Sequence, residues 1–304
     1  MTVFEDICQA PQDGGYACAI GFFDGVHLGH KALLATLKKA AAERGLKTLI
    51  VTFKQHPREI MKATYVPSLL TTTAERLQIM EKEGIDACYL IKSKSIFEQT
   101  SSYFMHHTLA ELNVKYLLVG YDHHFGSDRE HGFEYYKKIG AEYGIEVGQA
   151  EAMLVAKNKV SSSAIRRELE AGKVDGISKL LGYNYFIEGT VVHGRNVGKI
   201  IGFPTANICL SDVRKLIPMG GVYSVKVSIE GERKSYKGVL NIGVRPTFID
   251  LKSVKTIEVH ILDFSEDIYN KHIRIEFVKF LRSEEKFETT EQLTQQISED
   301  LKRV

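Results

Sequence analysis

The chain has 304 residues, 44% of them hydrophobic and 26% charged, and a formal net charge of +2 at pH 7. That length exceeds what a single hydrophobic core usually reaches, so two domains are expected, and so small a net charge argues against wholesale binding to nucleic acid or to an acidic membrane surface. The four cysteines, Cys8, Cys18, Cys88 and Cys209, are scattered and form no C-x-x-C, which argues against a zinc ribbon or a disulfide framework. No apolar run approaches the roughly 20 residues of a membrane helix, and the N-terminal stretch lacks the basic start and apolar core of a signal peptide. A soluble cytoplasmic protein is expected.

In chain order, "YACAIG" reads as a buried strand leading to the helix "KALLATLKKAAAERG", where Leu33, Leu34, Leu37 and Ala41 share a face and Gly45 is the stop. The alternation continues through strand "TLIVTF", helix "TAERLQIMEKEG", strand "ACYLI", helix "SSYFMHHTLAEL", strand "YLLVG", helix "GFEYYKKIGAEYG" and strand "EVGQAEAML". Such a pattern predicts a parallel sheet covered on both faces, with ligand loops at the carboxyl ends of the strands. Those loops include "GFFDGVHLGH" and "VGYDHHFG". After the helix "SSSAIRRELEAGKV" the texture changes to "YFIEGTVVHG", "GVYSVKVSI", "YKGVLNIG", "TIEVHIL" and "HIRIEFVKFL", an all-β signature, and "TTEQLTQQISEDLKRV" reads as a final helix packed on it. The boundary is placed between residues 172 and 173.

"GVHLGH" sets His27 and His30 beside glycines at a helix start, where backbone N–H groups and the helix dipole favour an anion and imidazoles add donors. A metal pair and two plain helix-start histidines are alternative readings, although no third ligand lies at a familiar spacing. "VSSSAIRREL" places hydroxyls at a second helix start with Arg166 one turn beyond Ser162, which reads either as a cap with an exposed arginine or as another anion site. "GRNVGKI" is not a P-loop, because it is one residue short and has no hydroxyl after Lys199. In "GFPTAN", Pro204 fixes the backbone ahead of Thr205, and Thr205 with Asn207 offers neutral oxygens of the kind Mg²⁺ accepts beside phosphates; a plain turn is the other reading. Glu258 and His260 share the polar face of "TIEVHIL", where Glu258 is either a general base or an ordinary exposed carboxylate.

Taken together, "GFFDGVHLGH", "TFKQHP", "VGYDHHFGSDREHG" and "VSSSAIRREL", followed by "VVHGRNVGKIIGFPTAN", "GVYSVKV", "GVLNIGVRPTF" and "IEVHILDF", resemble the bifunctional bacterial riboflavin kinase/FAD synthetase family over nearly the whole chain. The resemblance implies an α/β nucleotidylyltransferase-like parallel-sheet domain, then an all-β six-stranded barrel domain with a C-terminal helix. It implies that riboflavin is phosphorylated by ATP to FMN, with ADP released, and that FMN is adenylylated by a second ATP to FAD, with pyrophosphate released. On that likeness His27 and His30 stabilise charge on the ATP phosphates, and Ser162 and Arg166 hold the distal phosphates. Gly21, Phe22, Asp24, Gly25 and Asp122 line the nucleotide or flavin side. In the second half Glu258 activates the ribityl hydroxyl, while Gly202, Pro204, Thr205 and Asn207 bind the nucleotide, Thr205 and Asn207 also holding Mg²⁺. The implied partners are these small molecules, with no nucleic acid or membrane, and the implied state is a monomer or weak homo-oligomer. Gln55, Tyr183, Lys199, His123 and the serine run depart from the residues common in the family without removing a catalytic group.

Overall fold

Apolar runs and helical stripes alternate through the first half of the chain, and in a computed structural model they assemble as that alternation requires. The structure describes all residues except 12–13, 62–67, 122–123, 129–131, 152–153, 156–157, 195–196 and 246–253. It divides into two units, Met1–Ser162 and Ser163–Val304.

The first unit runs β1 (Thr2–Phe4), β2 (Tyr16–Ile20), α1 (Leu28–Glu43), β3 (Lys47–Phe53), α2 (Pro57–Met61), α3 (Thr73–Lys82), β4 (Ala87–Ile91), α4 (Ser101–Phe104), β5 (Val114–Val119), α5 (Phe133–Glu142) and β6 (Glu146–Gln149). A short antiparallel pair follows, β7 (Leu154–Val155) with β8 (Asn158–Lys159). Strands β1 to β6 form a sheet in the order β1-β4-β3-β2-β5-β6, parallel throughout. Every residue of β2 is buried, as expected of a central strand covered on both faces. On α1, Leu34, Leu37 and Ala41 are buried, and Gly45 ends the run at φ +62°, its N–H donating to the Ala42 carbonyl.

Three local expectations differ. The segment read as one helix after β4 is α4 followed by a π-helical turn, Met105–Ala110, which sets Met105 and Leu109 in the core four residues apart. The last predicted strand stops at Gln149. The edge strand β1 is not among the elements that the sequence pattern predicts. What positions the site is the strand order: β3 and β5 flank β2 on opposite sides, so the crevice of this sheet opens at the carboxyl ends of β2 and β5.

The second unit contains most of α6 (Ser162–Glu170), then α7 (Ser178–Leu181), β9 (Phe186–Val192), α8 (Val197–Ile200), β10 (Ala206–Leu210), β11 (Gly221–Ile229), β12 (Ser235–Arg245), β13 (Val254–Ile261), β14 (His272–Arg282) and α9 (Thr290–Leu301). Strands β9 to β14 close an antiparallel six-stranded barrel in the order β10-β13-β12-β11-β14-β9, a solution that leaves no free sheet edge. Leu240, Ile242, Ile257, Val259 and Ile261 are buried, and Glu258 and His260 alternate to the other face of β13. α9 packs outside the barrel, as expected: Leu301 and Val304 cover Val222, Val239 and Leu281, and Arg282 grips the buried Asp300 with bonds of 2.9–3.1 Å.

Candidate active sites

The loop leaving β2 is held in a backbone form that L-residues rarely adopt. Phe23 lies at φ +56°, Gly25 at +79° and Val26 at +35°, and such a conformation persists only where surroundings enforce it. The enforcement is visible. The Asp24 carboxylate, 3% exposed, accepts from the N–H groups of Leu70 and Thr71 at 3.1 and 3.0 Å and from the Thr71 hydroxyl at 3.3 Å. The Gly25 N–H in turn donates to the Thr71 hydroxyl at 3.0 Å. Ser162 donates its hydroxyl to the Asp24 carbonyl at 2.9 Å, and Thr52 donates to the Phe22 carbonyl at 3.3 Å. Beneath the loop Arg76 is wholly buried, its guanidinium 4.3 Å from the centre of the Phe22 ring and bonded to the Phe53 carbonyl at 2.7 Å.

This loop delivers His27 to the N-cap of α1, where Nδ1 accepts from the His30 N–H at 3.3 Å. Acceptance at Nδ1 leaves the proton of the neutral ring on Nε2. The two imidazoles stack 3.7 Å apart at 14°, and the edge of Phe23 meets His30 at 5.2 Å. Burial pushes His27 from its ordinary 6.5 down to about 4, against a smaller opposing pull from the Asp24 charge. His30 is held well below the usual imidazole range, first by burial and then by His27 and Arg76. At neutral pH the free protein therefore presents two neutral rings at a helix N-terminus. That arrangement sets two imidazoles beside the backbone N–H groups of a helix start, where an anion is favoured.

Gly21, Phe22, Asp24, Gly25, His27, His30 and Ser162 are thus brought together at the switch-point crevice. Arg166, half-buried, lies four residues beyond Ser162 on α6, in the second unit. Asp122 lies outside the described residues. No motif in the sequence singles out Thr71 or Arg76. A signal existed for Arg76, which shares a buried stripe with Ile79 and Met80 at helical spacing.

In the barrel, the register sets Asn207 opposite Glu258 on one side and Asn241 opposite it on the other, so the carboxylate is flanked by two amides on one face. Glu258 and Asn207 are half-buried and Thr205 is exposed. Gly202 turns the chain at φ +84° just ahead of Pro204. Gly194 packs flat against the Asn207 amide, where any Cβ would collide with it. Among the described residues no three His, Cys, Asp or Glu side chains cluster as a metal site.

The FAD synthetase family profile matches residues 9–164, and the riboflavin kinase profile matches residues 181–304. An α/β unit of the first kind followed by a barrel of the second defines a bifunctional transferase of flavin biosynthesis. The chain belongs to the bifunctional riboflavin kinase/FMN adenylyltransferase family. It is 37% identical to the protein of that description from Escherichia coli K12, over 97% of this chain and 93% of the relative, and 37% identical to that of Bacillus subtilis, over 93% and 89%. A crystal structure from Streptococcus pneumoniae, described as a macrolide-efflux protein, superposes with a TM-score of 0.90 at 30% identity, covering 99% of this chain and 97% of the other. In the present chain no helix among the described residues is long and apolar enough to cross a membrane.

Proposed function

We propose that this chain converts riboflavin to FMN in residues 173–304 and FMN to FAD in residues 1–172, each step using one ATP. The observation that carries the reading is the pairing of a stacked histidine couple at the helix mouth of the α/β crevice with a Glu258–Asn207 pair in the barrel, in a chain whose relatives match over both halves.

In the barrel Glu258 takes the proton of the ribityl 5′-hydroxyl as its oxygen attacks the γ-phosphorus of ATP, and the bond to ADP breaks. Asn207 and Thr205 position the nucleotide, with Gly202 and Pro204 shaping the turn. The donor set suits Mg²⁺, since Thr205 and Asn207 provide hard neutral oxygens and leave the ligand charge to the phosphates. When bound, the cation neutralises charge on the transferring phosphoryl group.

In the α/β domain an oxygen of the FMN phosphate attacks the α-phosphorus of ATP, and pyrophosphate leaves. No protein nucleophile is needed, because a phosphate monoester with a second pKa of about 6 is already largely dianionic at neutral pH. His27 and His30 stabilise the phosphates through N–H donors, while Ser162 and Arg166 hold the distal phosphates. Gly21, Phe22, Asp24, Gly25 and Asp122 shape the nucleotide and flavin side.

The test is a time course with riboflavin, ATP and Mg²⁺, the flavins being separated by chromatography. FMN is expected first and FAD after it. Unchanged riboflavin together with unchanged supplied FMN would overturn the assignment.

A further inference from the structure

His260 shares its face of β13 with Glu258, and the chemistry above gives it no task. The ladder between β10 and β13 pairs Asn207 with Glu258 and Ala206 with Val259, and it ends there. Antiparallel partners step in opposite directions, so a longer ladder would next have set Thr205 against His260. Instead the backbone turns away at Pro204, and a side chain continues the connection. His260 Nδ1 lies 2.8 Å from the Pro204 carbonyl oxygen, with the Phe203 ring edge-on to the imidazole at 5.7 Å. A carbonyl oxygen only accepts, so Nδ1 carries the proton and donates. On the other side of the same turn the Phe203 N–H donates to the Gly198 carbonyl at 2.8 Å. Proline has no N–H of its own to anchor this point, which leaves its carbonyl as the backbone handle.

We propose that His260 is a positioning residue for phosphoryl transfer in the barrel. Its Nδ1–H fixes Pro204 and thereby the placement of Thr205 and Asn207 relative to Glu258. The proposal rests on the assignment of riboflavin phosphorylation to this domain. It separates two roles on one strand face: Glu258 handles the proton of the substrate, and His260 holds the turn that grips the nucleotide.

The experiment uses the full chain with Mg²⁺ present, varying ATP and riboflavin separately. His260→Ala is expected to lower kcat/KM for ATP in riboflavin phosphorylation by about tenfold, the scale of one lost hydrogen bond, with FMN adenylylation unchanged. His260→Asn, whose amide nitrogen is attached at Cγ as Nδ1 is, should recover activity to within about threefold of the native chain. In a Thr205→Ala background, His260→Ala should add a clearly smaller loss than it causes in the native chain, because one of the two groups it positions is gone. Native kinetics in His260→Ala, equal impairment in His260→Asn and His260→Ala, or full additivity with Thr205→Ala would each overturn the proposal. A native chain unable to make FMN from riboflavin would overturn the underlying assignment instead, and is told apart because all variants would then be equally silent.

Discussion

His27 sits where two forces pull its proton in opposite directions. Burial in the loop and against His30 disfavours the imidazolium, the Asp24 charge favours it, and burial wins, leaving the group near 4 rather than its ordinary 6.5. An unfolded chain therefore takes up a proton at this histidine between those two values that the folded chain refuses. Stability contributed by the neutral ring is full above about pH 6.5 and is lost as pH falls toward 4, on the order of 3 kcal/mol in all. Urea unfolding at pH 7.0 and pH 4.5 should accordingly show a smaller acid-induced loss in His27→Gln than in the native chain, since the variant lacks this titrating ring and is also rid of the charge that adds to the lowering at His30. Equal losses would mean that the folded chain accommodates the charged ring. The same balance bears on catalysis: a phosphate drawn to the helix start supplies the opposite charge that burial withholds, so binding and proton uptake at this site should be coupled.

At the scale of elements, the loop after β2 owes its shape to a segment distant in sequence. Thr71 is the hinge of that latch, its hydroxyl donating to Asp24 and accepting from the Gly25 N–H. Thr71→Val keeps the volume but takes one donor from the buried Asp24 carboxylate and the hydroxyl that the Gly25 N–H donates to. A cost of about 2–4 kcal/mol to the first unit is expected, together with a steep loss of FAD formation from supplied FMN. Riboflavin phosphorylation, measured in the same preparation, should persist; an unaffected rate of FAD formation would show that the loop holds its form without the latch. These contacts also mark the limit of sequence legibility. The strands of the parallel sheet were readable wherever burial on both faces made a continuous apolar run, as in β2, whereas β1 is three residues at a sheet edge and too short to show a period. In the barrel β10 was hidden because its sequence reads first as the "GFPTAN" turn, and only the register with β9 and β13 makes it a strand. The histidine pair was legible from its glycines and its place before a helix. Thr71 was not, because its partner Asp24 lies 47 positions away and no local pattern encodes that meeting.

At the scale of the whole molecule, the groups assigned to FMN adenylylation fall within Met1–Ser162 except Arg166 on α6, and those assigned to riboflavin phosphorylation fall within Ser163–Val304. Each unit also builds its own six-stranded sheet, one open and parallel, the other a closed barrel. The two half-reactions share FMN, the product of one and the substrate of the other, and the residues proposed for them do not overlap. Damage should therefore be confined. His27→Ala should make FMN from riboflavin and stop, while Glu258→Gln should leave riboflavin untouched yet convert supplied FMN to FAD. Neither variant alone should carry riboflavin through to FAD. Mixed together they should, provided FMN leaves the first molecule and is captured by the second. The signature of that transfer is a lag before FAD appears, one that shortens as the concentration of the Glu258→Gln chain rises, because capture of a dissolved intermediate is bimolecular. A mixture that accumulates FMN without FAD, although Glu258→Gln still adenylylates added FMN, would show that FMN made on one chain does not become available to another. A mixture in which Glu258→Gln adenylylates nothing would tie the two activities together and contradict their separation into two independently cored units.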